Sequence, residues 1–281
     1  MRRTLTTLLG AAFAVLASTG CGQKAPQTYE YQEQEIHCTR DGLDIYGIAS
    51  IPQGGKQKKP LVIMSHGYGG NVRNCQAYAD TLARLGYAVY RFDFCGGGRN
   101  SKSGGSSRDM SIFTEQKDLD EVIKEAQKWD FVNPDHIFLL GESQGGMVST
   151  LSGVSSLDAI EAAILLYPAY CIADDAIRNF GSLEKVPQEF QFMGLDISPA
   201  YYKEIFDFDI FSYMAPLSKD VLIIHGDKDN LVPFSYSERA LQVLPKARLE
   251  TIPGAGHGFR GQDQEMAKSL IATFMLDHTK P

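Results

Sequence analysis

From Leu61 onward, short apolar runs alternate with stretches whose apolar residues recur at helical spacing. The runs are Leu61–Met64, Tyr87–Phe92, His136–Leu140, Ala162–Leu166, Val221–Ile224 and Ala247–Ile252. Most are near-continuously apolar, which predicts strands buried on both faces, as in a parallel sheet covered by helices. Segments 74–85, 113–129, 235–244 and 264–277 suit the intervening helices. In the second of these Leu119, Val122, Ile123 and Ala126 share a face, and Thr114 is a candidate cap. Ahead of the alternation, two strand-like segments between Glu33 and Ile51 meet at Asp41-Gly42, a hairpin signal, so an antiparallel pair opens the sheet.

The rhythm lapses between Pro168 and Pro216. That stretch is rich in aromatics, including Tyr170, Phe180, Phe190, Phe192, Tyr201, Tyr202 and Phe211, and has no clear parallel strand. A long insert in regular β-α alternation is expected to cap the sheet's active edge. The pattern predicts an α/β fold: a mostly parallel central sheet flanked by helices, with an inserted cap at about 168–216 after the sixth strand. One domain over 33–281 accommodates it.

The first residues follow another pattern. Arg2 and Arg3 precede the apolar stretch Leu8–Leu16, and small residues lead to Ser18-Thr19-Gly20-Cys21. Residues 1–20 read as a signal peptide, too short and too interrupted for a convincing membrane span. The Thr-Gly-Cys end resembles the bacterial lipobox, although Ser18 stands where that motif usually has leucine. The expectation is a lipidated Cys21, a linker over 21–32 and a membrane-anchored lipoprotein; a periplasmic or secreted protein is the alternative.

Apolar and charged fractions of 43% and 22% are those of a globular chain. Loss of residues 1–20 removes two arginines and no acid, moving the formal charge from −7 to −9. An acidic surface without a basic cluster excludes nucleic acid as a partner. Cys38, Cys75, Cys95 and Cys171 leave disulfides or free thiols equally open, and no Cys-x-x-Cys spacing points to zinc.

Chemistry enters at Gly141-Glu142-Ser143-Gln144-Gly145, a Gly-x-Ser-x-Gly pentapeptide between a strand and a helix. Such a turn exposes a serine hydroxyl as a nucleophile. Chance also supplies the pattern, so its partners matter. His66-Gly67-Tyr68-Gly69-Gly70-Asn71, His225-Gly226-Asp227-Lys228-Asp229-Asn230 and Gly254-Ala255-Gly256-His257-Gly258-Phe259 each follow a predicted strand. In order and context, these four segments resemble the α/β-hydrolase superfamily over roughly residues 35–277.

The resemblance implies Ser143 as nucleophile, His257 as general base, Asp229 as the acid orienting it, and the Tyr68 and Gln144 N–H groups as the oxyanion hole. Asp227 is the rival acid. His66 and His225 read as loop-ordering residues. Asp227-x-Asp229-Asn230 lacks the glycine and distal glutamate of a calcium loop, and Cys95-Gly96-Gly97-Gly98-Arg99 lacks the Gly-Lys-Ser/Thr of a phosphate loop. No metal or cofactor is implied; water is the co-substrate.

Within the superfamily, the His-Gly-aromatic loop, Arg91-Phe92-Asp93-Phe94, Ser143-Gln144-Gly145-Gly146 and the cap of about fifty residues resemble the bacterial cinnamoyl (feruloyl) esterases. That resemblance implies a small-molecule or polysaccharide-linked hydroxycinnamoyl ester as substrate, with Tyr201 or Tyr202 contacting it. Glu142 departs from the histidine frequent before the nucleophile. A generic short-chain carboxylesterase is the runner-up. A serine peptidase usually brings a further large domain, and a non-catalytic binding protein usually lacks a triad member.

Overall fold

The computed structural model describes residues 28–279 except Lys56, so the segment expected to be a signal peptide and Cys21 lie outside the described residues. Strands β1 (Tyr31–Arg40) and β2 (Leu43–Pro52) form the antiparallel pair, turning at Asp41 and Gly42, both with positive φ. Strands β3 (Lys59–Ser65), β4 (Ala88–Phe92), β5 (Val132–Glu142), β6 (Ala162–Leu166), β9 (Asp220–Gly226) and β10 (Ala247–Ile252) complete one sheet in the order β1-β2-β4-β3-β5-β6-β9-β10. From β4 across to β10 every pairing is parallel. The architecture is the predicted α/β one.

Successive strand residues face opposite sides, and each side has its own core. Leu61, Ile63, Ile137 and Leu139 pack with helices α2 (Ile112–Ala126) and α3 (Gln144–Ser155). Val62, Met64, Phe138 and Leu140 pack with α1 (Gln76–Arg84) and α7 (Gln262–His278). A further helix, α6 (Ser235–Leu241), joins β9 to β10. Burial on both faces explains why the strands read as unbroken apolar runs.

Helix α2 starts one residue earlier than predicted and ends at Ala126. Ser111, not Thr114, is its cap: Thr114 N–H donates to Ser111 Oγ, while Ser111 N–H donates to Thr114 Oγ1. Thr114 is the third helical residue of a reciprocal capping box.

Between β6 and β9 lie α4 (Ile172–Phe180), a small antiparallel hairpin of β7 (Phe190–Phe192) and β8 (Leu195–Ile197), and α5 (Ile210–Met214). Tyr201, Tyr202, Ile205, Ile210 and Phe211 join the core on the α2/α3 side. Among the described residues no helix is long and apolar enough to cross a membrane.

Candidate active site

The loops after β3, β5, β9 and β10 all leave the sheet at its C-terminal edge, where α/β sheets bind ligands. After β5 the chain turns sharply through Ser143, at φ 51° and ψ −117°. A non-glycine residue there costs on the order of 1–3 kcal/mol. The turn is held by Ser143 N–H to Leu166 O at 2.9 Å, and by Ala169 and Gly146 N–H to Ser143 O, both at 2.9 Å. Gly145 is required by close approach: a Cβ there would lie 2.3 Å from Ser65 O and 2.4 Å from His66 O.

Asp229, His257 and Ser143 form one hydrogen-bonded chain. His257 Nδ1–H donates to Asp229 Oδ2 at 2.7 Å, and Ser143 Oγ lies 3.0 Å from His257 Nε2. Since the carboxylate only accepts, Nδ1 carries the proton and Nε2 is left to accept. Asp229 is itself fully engaged: Oδ1 accepts from Leu231 and Val232 N–H, both at 2.9 Å, and His225 Nε2–H approaches Oδ2 at 3.2 Å. Burial opposes ionisation of Asp229, but the hydrogen bonds from His225, His257 and Val232 outweigh it and hold the carboxyl well below its usual range.

Asp227 accepts from Gly254 N–H at 2.6 Å, tying the two loops together without a hydrogen bond to His257. His225 is buried, with Nδ1 2.7 Å from Ser237 Oγ, and serves to fix Asp229. His66, also buried, bonds Gly67 O through Nδ1 and accepts from Phe94 N–H at 3.3 Å through Nε2.

The His66–Gly70 loop runs beside Ser143, so that a Cβ on Gly67 would sit 3.2 Å from Ser143 Cβ. The glycine turn after β4 braces this loop from behind. Gly69 N–H donates to Gly97 O, Arg99 N–H to Gly69 O, and a Cβ on Gly98 would lie 2.0 Å from Gly70 O. On the other flank, Tyr201 O–H donates to Gln144 Oε1 at 2.5 Å, and Gln144 Nε2 donates to Glu115 Oε2 at 2.7 Å. Burial pushes Glu115 well above the carboxylate range, against the Gln144 hydrogen bond. Both candidate N–H donors therefore sit on anchored backbone.

Ser143 opens into a cavity of about 250 Å³. Tyr68, Phe192, Tyr201, Ile172 and Asp175 line its cap end, while Glu142, Tyr167 and Asn74 line the end near His257. Tyr202 packs against Phe180, Phe190 and Phe206 and lines an adjoining hollow that shares Ile172, Asp175, Phe192 and Tyr201 with this cavity. Asp175 and Tyr167 escaped the sequence reading because neither lies in a motif; the strand end at Leu166 was the one cue to Tyr167. Cys38, Cys75, Cys95 and Cys171 are all buried and free.

The sheet order, the serine at the strand-helix turn and the three loops facing it define an α/β-hydrolase. Family profiles agree along the chain: one described as serine aminopeptidase, S33, matches residues 56–194, and one described as TAP-like protein matches 210–281. The chain belongs to the α/β-hydrolase superfamily and is a hydrolase with esterase and lipase relatives. It is similar to Est1E from Butyrivibrio proteoclasticus, solved with ferulic acid bound, at 29% identity and a TM-score of 0.79 over 86% of this chain and 98% of that one. The uncharacterized protein YfhR of Escherichia coli K12 is 25% identical over 226 residues, 78% of this chain and 71% of that protein. Rat monoglyceride lipase is 28% identical over 146 residues, 52% of this chain and 46% of the lipase.

Proposed function

We propose that the protein is a serine carboxylic ester hydrolase that cleaves hydroxycinnamoyl esters through an acyl-enzyme intermediate. The observation that carries this reading is the unbroken Asp229-His257-Ser143 chain opening into a cavity with an aromatic cap end. His257 Nε2 takes the Ser143 proton as Oγ attacks the ester carbonyl, and the imidazolium formed is stabilised by Asp229, which stays ionised. The oxyanion is received by the Tyr68 and Gln144 N–H groups. Imidazolium then protonates the departing alcohol, and water, deprotonated by His257, frees the acid from Ser143.

The cap end suits a planar phenolic acyl group. Tyr68 and Phe192, centroids 5.2 Å apart, line it with Tyr201, and the Asp175 carboxylate is an acceptor for a ring hydroxyl. A ferulate-bound structural relative supports the same direction. A generic short-chain esterase is favoured by one observation: the Tyr201 hydroxyl is already committed to Gln144. Comparing kcat/KM for methyl ferulate and methyl butyrate discriminates the two. The hydroxycinnamoyl reading predicts that methyl ferulate is the better substrate by about tenfold or more, the scale of one well-used hydrogen bond. No ferulate release above background rejects it and leaves the esterase.

The charged, apolar and Thr-Gly-Cys segments at the N-terminus support export with a lipid anchor on Cys21. Cys21→Ser should then move the protein from the membrane to the soluble fraction on cell fractionation. A variant that stays as membrane-bound as wild type contradicts the anchor.

A further inference from the structure

Glu142 occupies the second position of the Gly-x-Ser-x-Gly turn, and nothing in the reaction above uses it. Glu142 and His257 both line the cavity. Tyr167 O–H donates to Glu142 Oε1 at 3.2 Å, and Cys75 Sγ–H donates to Oε2 at 3.5 Å. The Tyr167 ring stands edge-on to the His257 imidazole, with centroids 4.7 Å apart and planes at 63°, and Phe259 backs it at 4.9 Å. Tyr167 keeps a φ of 39°, a conformation a bulky side chain holds only when its surroundings require it.

His257 thus has two supports. Asp229 bonds its Nδ1, and the pair Glu142-Tyr167 forms a wall on another side. We infer that Glu142 is a positioning residue for His257, fixing the Tyr167 ring against the imidazole and placing a second negative charge near the imidazolium that forms when Ser143 attacks. This inference rests on the serine-esterase reading.

The electrostatics agree with the geometry. Burial pushes the Glu142 carboxyl up to about 7, opposed by the Cys75 and Tyr167 hydrogen bonds and by attraction to His257. The other titratable groups facing it are Cys75 and Tyr78 from α1, both held neutral, with Arg91 acting on Cys75 and Glu265 on Tyr78 at longer range. The carboxyl therefore changes charge within the pH range of the reaction, so its ionisation adds to the acid limb of the rate profile.

The test is the pH profile of kcat/KM for p-nitrophenyl acetate, with wild type, Glu142→Gln and Tyr167→Phe, and Ser143→Ala as the control for the underlying reading. Glutamine keeps an acceptor for Tyr167 and removes the charge. The wild-type acid limb should be steeper than a single ionisation over about its first tenfold fall, where the Glu142 charge is lost. In Glu142→Gln the limb should lose the contribution of the carboxyl and fall to a slope of one. Its kcat should fall about tenfold, with KM changed less than kcat. Tyr167→Phe should lower kcat while the acid limb keeps its wild-type steepness. A Glu142→Gln profile superimposable on wild type in slope and position overturns the inference, and so does a Glu142→Gln loss confined to KM. If Ser143→Ala hydrolyses the ester like wild type, the esterase reading falls and takes the inference with it.

Discussion

At the scale of single residues, the site depends on satisfied partners more than on residue identity alone. Asp229 accepts from two backbone N–H groups and two imidazoles, and this set separates it from Asp227 two positions earlier. Because its carboxyl is held below the ordinary 3.8, the unfolded chain binds the proton more readily. The stability it contributes is complete above about pH 4 and is lost as pH falls toward the folded-state value. Asp229→Asn should therefore be less stable than wild type in urea melts at pH 7, with the gap narrowing at pH 3. It should also lose about 10³–10⁴ in kcat, since an amide no longer enforces the Nδ1–H tautomer. A stability gap that is constant across this range contradicts the role given to those hydrogen bonds. The motifs made Ser143 and His257 legible in the sequence, and a preference for Asp229 over Asp227. Tyr167 and Asp175 were not legible, because their places depend on packing against His257 and across the cap.

At the scale of elements, the strands were the most readable. Burial on both faces leaves them no polar alternation, and β10 matches its predicted run residue for residue. Helix ends were less so. Ser111 and Thr114 are both good caps, and a reciprocal box uses both, so sequence alone does not say which residue stands outside the helix. The cap was visible as an interruption, but its contents were not. Strands of three residues carry no measurable period, and β7 and β8 are ordered by tertiary bonds: Tyr68 O–H to Phe192 O at 3.0 Å, Ser107 Oγ to Asp196 O at 2.6 Å, and an Arg99 bond to Met193 O. For the same reason neighbouring Tyr201 and Tyr202, indistinguishable in sequence, take different places, one lining the cavity at Ser143 and one the adjoining hollow under the cap.

At the scale of the whole molecule, the fold's contribution is convergence. Four loops far apart in the chain leave the same sheet edge, and they are locked by close backbone approaches such as Gly226 against Ala255, where a Cβ would meet a carbonyl at 2.2 Å. Ser143 stands between the two cores: the cap end of the cavity belongs to the α2/α3 side, and Tyr167 belongs to the α1/α7 side. That arrangement gives the two ends of the cavity different surroundings, Tyr68, Phe192, Tyr201 and Asp175 on one side and Tyr167 with Glu142 on the other. The central claim is that Ser143 is the nucleophile of this site. The most direct measurement is the steady-state rate of p-nitrophenol release from the acetate ester by wild type and Ser143→Ala at pH 8. Wild type should turn over, and Ser143→Ala should lose about 10⁴-fold or more in kcat. Equal rates for the two proteins would contradict the account.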